Sequence, residues 1–249
     1  VSSIVNYEVA FTDDTTRFDN IPSWDSVGLS SDYSIDTLSS MLDQETYFFV
    51  IKATDLAGNV TDVMSSDGVT IDYGTPVSGL VYDGLTEDAD WTNSDRTLEI
   101  SWSGFIDTVS GIALYEYAIG TTPGGVNVIE WTENGVDTSA IENNLILMHD
   151  STYYASVKAT DLAGNVTDVM SSDGVTIDYG TPVSGLVYDG LTEDADWTNS
   201  DSTLEISWSG FIDDVSGIVL YEYAVGTTPG GVNVIAWTEN GVDTNAIES

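Results

Sequence analysis

The chain has no cysteine, one histidine and only four basic residues among 249. Without cysteine there is no thiol nucleophile, no cysteine-ligated zinc or iron–sulfur site and no disulfide. Each folded unit must then depend on its apolar core or on metal. The lone histidine, His149, is the one possible base of a Ser-His-Asp triad, but the matching position in the preceding repeat is Asp43. A turn is the expected place for it, and the chain is read as a non-enzyme. Arg17, Lys52, Arg96 and Lys158 face 42 acidic residues, for a net charge of −38. Such a surface repels the phosphate backbone and anionic lipid, so nucleic acid is excluded as a partner. No apolar run nears the roughly 18 residues that span a bilayer, so no membrane insertion is expected of this segment.

What is present is repetition. Residues 53–143 recur as 159–249 at an offset of 106, as from Arg96 to Ser202, with no insertion. The two copies differ at seven places: Arg96/Ser202, Thr108/Asp214, Ala113/Val219, Ile119/Val225, Glu130/Ala236, Ser139/Asn245 and Asn143/Ser249. A period of that length is the size of one domain, which implies tandem domains rather than a short-repeat solenoid. Apolar residues make up 41%, enough for packed cores despite the acidity. The expected division is 1–74, the later part of a divergent repeat; 75–180, one complete repeat; and 181–249, the earlier part of the next. Positions 1–10 (VSSIVNYEVA) line up with 109–118, so the first unit lacks its opening strands. A window on a longer chain explains both ends. The alternative is that half-units of different copies complete one another head to tail, as donated strands do.

Within 75–180 the periodicity is that of strands. Residues 77–82 form a short apolar run after Pro76, expected at a sheet edge. The acidic, turn-rich stretch 83–95 reads as a loop. Leu98, Ile100 and Trp102 alternate with Glu99, Ser101 and Ser103, which predicts a half-buried strand over 97–105. Further strands are expected at 112–119, 126–131 and 145–148. Another is expected at 153–161, with Tyr153, Ala155, Val157 and Ala159 inward and Ser156 and Lys158 outward, and a last one at 175–177. GTTPGG (120–125) is a tight connection, and 162–172 reads as a loop. No window keeps helical periodicity for three turns. Seven short strands with regular turn signals predict an all-β sandwich.

The run from Leu147 through Thr152-Tyr153 to Ala159 resembles the strand pattern of fibronectin type III domains, with His149 and Asp150 where that pattern has Pro-Gly. Trp102 and Tyr115 fall where that family places core aromatics. VYDG (81–84), DADWTNSD (88–95), SGIALYEYAIGTTPGG (110–125), ATDLAGN (159–165) and SSDGVTID (171–178) are similar to a subtype found in large extracellular repeat proteins and bacterial surface adhesins. The resemblance implies tandem seven-stranded fibronectin type III or Ig-like sandwiches arranged end to end, at the cell surface outside the cell.

That strand order brings the loop holding Asp107 and Thr108, the loop 161–165 and the linker residue Asp72 to one pole of the complete unit. The linker (Ile71-Asp72-Tyr73-Gly74-Thr75-Pro76) resembles those of bacterial surface repeats in which an Asp helps bind calcium between domains. Converging carboxylates repel unless a cation or protons compensate, and calcium accepts many oxygen ligands. The resemblance therefore implies a structural calcium held by Asp72, Asp107 and Asp161, and at the next junction by Asp178, Asp213 and Asp214. The alternative is a set of solvated turn aspartates. Asp83-Gly84 with Asp88 and Asp90 forms a second acidic group, loosely like an EF-hand loop but without its closing Glu. Asn59-Val60-Thr61 and Asn165-Val166-Thr167 fit the glycosylation sequon. Trp91 and Trp131 could stack on sugar rings, although aromatics of a sandwich more often fill its core.

The leading expectation is a stalk segment of a giant secreted surface adhesin or filament, serving adhesion, gliding motility or biofilm, that extends a distal tip. Its partners would be neighbouring repeats of the same chain and other copies in a filament. A glycan- or protein-binding module, or an accessory region of a large secreted enzyme, are the competing expectations.

Overall fold

The computed structural model describes residues 3–14, 21, 23–35 and 41–249, and every regular element in them is a β-strand. Val1, Ser2 and Arg17 lie outside the described residues. Among the described residues no helix is long and apolar enough to cross a membrane. The strands pair into three groups that share no sheet, called below the first, second and third units.

The first unit contains β1 (Ile4–Thr12), β2 (Asp25–Gly28), β3 (Thr46–Asp55), β4 (Met64–Ser65) and β5 (Val69–Thr70). They form one antiparallel sheet in the order β2-β1-β3-β4, with β5 also on β3. The second unit contains β6 (Leu80–Tyr82), β7 (Trp91–Thr92), β8 (Leu98–Ser103), β9 (Ile112–Gly120), β10 (Ile129–Glu133), β11 (Ser139–Glu142), β12 (Ser151–Asp161), β13 (Met170–Ser171) and β14 (Val175–Ile177). One of its sheets is β11-β8-β6; the other is β10-β9-β12-β14-β7, with β13 on β12. The third unit holds β15 (Leu186–Asp189), β16 (Leu204–Ser209), β17 (Glu222–Val225), β18 (Ile235–Glu239) and β19 (Asn245–Glu248). There β15-β16-β19 form one sheet and β17-β18 a separate hairpin.

The second unit is a β-sandwich, and its alternating strands explain why. On β8, Leu98, Ile100 and Trp102 point inward and are buried, while Glu99 and Ser103 are exposed. They meet Tyr115, Tyr117 and Ile119 of β9 and Tyr153, Ala155, Val157 and Ala159 of β12, all buried. Each buried large side chain contributes about 1.5–3 kcal/mol. Trp102 packs edge-on to Tyr115 at 5.7 Å between centroids, and Phe105 does the same at 5.7 Å. The chain is therefore all-β, with tandem sandwich units.

Several boundaries differ from the sequence expectation. Residues 145–148 form no strand; that edge of the smaller sheet is β11 instead, paired with β8 from Ser139↔Ser101 to Glu142↔Leu98. Leu145 and Leu147 donate their N–H groups to Arg96 and Asp95, and Leu147 fills the core while Ile146 and Met148 are exposed. Their alternation reports packing against an irregular segment rather than a ladder. The stretch 83–95 contains β7, which lies parallel to β14, and 162–172 contains β13 and a bridge between Thr160 and Val166. The strand expected at 126–131 is shifted to β10. Ser156 is outward on β12 yet fully buried, because the 120–125 connection folds back over it and Gly124 N donates to Ser156 Oγ at 3.0 Å. That fold-back requires glycine: a Cβ on Gly120 would meet the backbone of Gly125 at 2.5 Å.

Candidate functional site

The linker after β5 contains Asp72, which is buried. Its Oδ1 accepts the N–H of Gly74 at 3.0 Å, a local turn of the kind Asp favours. Its Oδ2 accepts the N–H of Ser110 at 3.2 Å, and its carbonyl accepts Asn165 Nδ2 at 3.1 Å. The linker of the first unit is thus tied to two loops of the second, one between β8 and β9 and one after β12.

Each of those loops carries its own carboxylate. Asp107 Oδ1 accepts the N–H groups of Val109, Ser110 and Gly111 at 3.0, 2.8 and 2.8 Å. The Gly111 N–H first, with those of Val109 and Ser110, holds the Asp107 carboxyl below the usual carboxylate range, because each stabilises the charged form. Asp161, buried at the end of β12, accepts Asn165 N at 2.8 Å and Asn165 Nδ2 at 2.9 Å. A carboxylate oxygen from each of Asp72, Asp107 and Asp161 lies within 4.8 Å of the other two. The structure therefore brings together the three residues expected at this junction. Three hard oxygen donors so close, one of them wholly buried, suit a divalent cation of the calcium class.

At the next junction the linker repeats its half of the arrangement. Asp178 Oδ1 accepts Gly180 N at 3.0 Å and Oδ2 accepts Ser216 N at 3.1 Å. Asp213 Oδ1 accepts the N–H groups of Val215, Ser216 and Gly217, and Gly217 is the largest cause of its lowered pKa. Asp214 does not join them. It is exposed, and Asp178, Asp213 and Asp214 form no three-carboxylate group among the described residues. The turn directs the Asp213 carboxylate into its own N–H groups and leaves the next side chain in solvent. Thr108, its counterpart, is exposed as well.

His149 lies beside this second joint, in a turn where Asp150 takes φ 58°. That left-handed conformation, which Asp tolerates, stands where the fibronectin pattern has glycine. His149 Nδ1 is 3.5 Å from Asp178 Oδ1, and its ring lies 5.0 Å from that of Tyr179. At the first joint Asp43 occupies the matching position and accepts Tyr73 N at 2.8 Å.

The second acidic group has a different membership from the one expected. Asp83 and Asp88 gather with Asp173, whereas Asp90 is exposed and contributes its carbonyl to Thr176 N. Asp83 is 3% exposed, and its Oδ2 accepts Gly174 N at 2.9 Å. Burial pushes its pKa up to about 6, against the hydrogen bonds from Ser172 and Gly174, with the charges of Asp88 and Asp173 adding to the rise. Asp173-Gly174 forms the turn before β14, and the shared pole of that turn with residues 83–88 was the signal available for it.

The remaining candidates have structural uses. Asn165, in the sequon, spends its amide on Asp72 and Asp161, and Thr167 Oγ1 accepts Ala159 N at 3.0 Å. Asn59 Nδ2 donates to Asp55 in the same way. Trp131 lies under Lys158, whose Nζ is 4.7 Å from the ring and 2.9 Å from Glu116. Lys52 repeats this over Trp24 at 4.3 Å, with Glu8 at 3.4 Å. Trp91 is 46% exposed on β7. The linker contact of Asn165 has no periodic signature and was not expected from sequence.

No family model matches the chain, and no curated protein matches it. Among solved structures it is similar to the FN1–FN3 domains of chicken CNTN1, at 16% identity over 100% of this chain and 79% of that one, with a TM-score of 0.34. It is also similar to the central fibronectin-III array of RIM-binding protein, at 12% identity over 83% of this chain and 68% of that one, with a TM-score of 0.25. Likenesses this loose carry no weight for function, and the fold rests on the strand pairing of the chain itself.

Proposed function

We propose that this chain is a length-giving segment of a large secreted surface repeat protein, an adhesin or filament stalk. Its units, 1–74, 75–180 and 181–249, stand end to end and hold a binding tip away from the cell. The observation that carries this reading is the linker. Asp72 reaches from the end of one unit to a backbone N–H of the next at Ser110, and Asp178 does the same at Ser216. A repeated unit with a repeated tie to its neighbour sets the spacing and direction of a string. Each 106-residue repeat, fully extended, would span about 350–380 Å, so units unfolding in turn would absorb load.

Calcium at Asp72, Asp107 and Asp161 completes the proposal. The ion takes about six to eight oxygens, supplying positive charge where three carboxylates otherwise repel. These residues come from the linker and two loops, so the ion would lock one unit to the next. Calorimetric titration of the whole chain with calcium is expected to give a binding heat and a higher melting temperature than in chelator. Asp107→Asn should abolish both. Absence of heat together with an unchanged melt in chelator would remove calcium from the account.

A further inference from the structure

The Asn165 side chain bridges two units. Its Nδ2 donates to the carbonyl of Asp72, in the linker of the first unit, at 3.1 Å, and to Asp161 Oδ2, in the second, at 2.9 Å. The same loop occurs earlier as Asp55–Asn59, with the same two Asn–Asp bonds: Asn59 N to Asp55 Oδ1 at 2.8 Å and Asn59 Nδ2 to Asp55 Oδ2 at 2.9 Å.

We infer that Asn165 is the positioning residue of the joint, fixing the angle of the second unit on the linker through the Asp72 carbonyl. This rests on the stalk reading above and specifies what sets its stiffness. Serine 110 and Asn165 grip Asp72 from different loops, through Ser110 N to the carboxylate and Asn165 Nδ2 to the carbonyl. A single hydrogen bond leaves a pivot, whereas two from separate loops to separate atoms remove rotation about it. The Asn165 amide is the donor that a substitution can delete without altering the backbone. An amide also suits the site chemically, since it donates two hydrogens and brings no charge to a cluster of three carboxylates. The sequon at Asn165 is thereby committed: a glycan on Nδ2 would leave a single hydrogen for two acceptors and place a sugar inside the joint.

The absence of cysteine makes the test direct. Spin labels on Asp62→Cys in the first unit and Glu133→Cys in the second, both exposed positions, report the inter-unit distance in the whole chain. The parent is expected to give one narrow distance distribution. Asn165→Ala should lose that narrow peak, while Asn59→Ala, which removes the same internal loop bond, should retain it. Asn165→Asp keeps the shape of the side chain but sets an acceptor against the Asp72 carbonyl; it too should lose the narrow peak. Unfolding of the second unit, followed separately by calorimetry, should shift no more for Asn165→Ala than the first unit does for Asn59→Ala. A narrow parent peak that survives both Asn165 substitutions overturns the inference and leaves the stalk reading intact. A broad distribution in the parent itself overturns both.

Discussion

Val81 and Val187 occupy the same place in two nearly identical stretches, yet one is 7% exposed and the other 65%. Tryptophans 91 and 197 differ in the same direction, at 46% and 91%. In the second unit β12, β13 and β14 cover the face that β6 and β8 present, and Trp91-Thr92 pairs with β14. In the third unit the β17-β18 hairpin and the three-stranded sheet share no pairing, and the positions 106 residues on from β12, β13 and β14 fall past Ser249. Local sequence decides which face of a strand is apolar; the segment opposite decides whether that face is buried.

The comparison can be broken most easily in the core. Ile100 is buried between the sheets, whereas Ile206, its counterpart, is only half-buried. Ile100→Ala should cost about 2–5 kcal/mol of the second unit's stability by transfer loss plus cavity. Ile206→Ala should cost clearly less, and calorimetry with separately resolved transitions would tell. Equal losses would mean that the two faces are equally covered.

Asp83 and Asp189 sharpen it next. Asp83 is buried with its pKa raised to about 6 from 3.8, while Asp189 is exposed. A carboxyl whose folded pKa is raised costs stability above about pH 6, and the cost is relieved as pH falls from 6 toward 4. Asp83→Asn should therefore stabilise the second unit by about 1–2 kcal/mol at pH 7.5, discounted for solvent screening. It should also flatten the difference between pH 4 and 6, whereas Asp189→Asn should leave the third unit within about 0.5 kcal/mol. Melting curves across that pH range, giving the same slope for parent and Asp83→Asn, would contradict the burial of this group.

The smallest effect is at the surface. Lys158 pairs with Glu116 and covers Trp131, whereas Glu222, the counterpart of Glu116, is exposed. Glu116→Gln should cost no more than about 1 kcal/mol, decreasing with added salt, and Glu222→Gln nothing measurable. Urea denaturation at low and high salt would separate them.

Much of this was legible in the residues. Period-two alternation named the inward faces of β8 and β12, because those strands are buried on one side and the pleat forces the choice. The strand order implied by the resemblance put Asp72, Asp107 and Asp161 at one pole, where the structure groups them. The edge strand β11 escaped, since Ser139, Ala140, Ile141 and Glu142 carry little apolar contrast and Ile141 is itself exposed. Asp214 misled because adjacent aspartates in a turn point different ways, which composition cannot register. Asn165 escaped for a third reason: its partner is a backbone carbonyl in another unit, set by how loops meet and not by any spacing within the sequence.

Small-angle scattering of the whole chain, in calcium and in chelator, tests the central claim most directly. The account predicts a profile elongated along one axis with the cross-section of a single sandwich, and a joint that bends or shortens the particle once metal is withdrawn. A single rounded particle, scattering identically in both buffers, would contradict it.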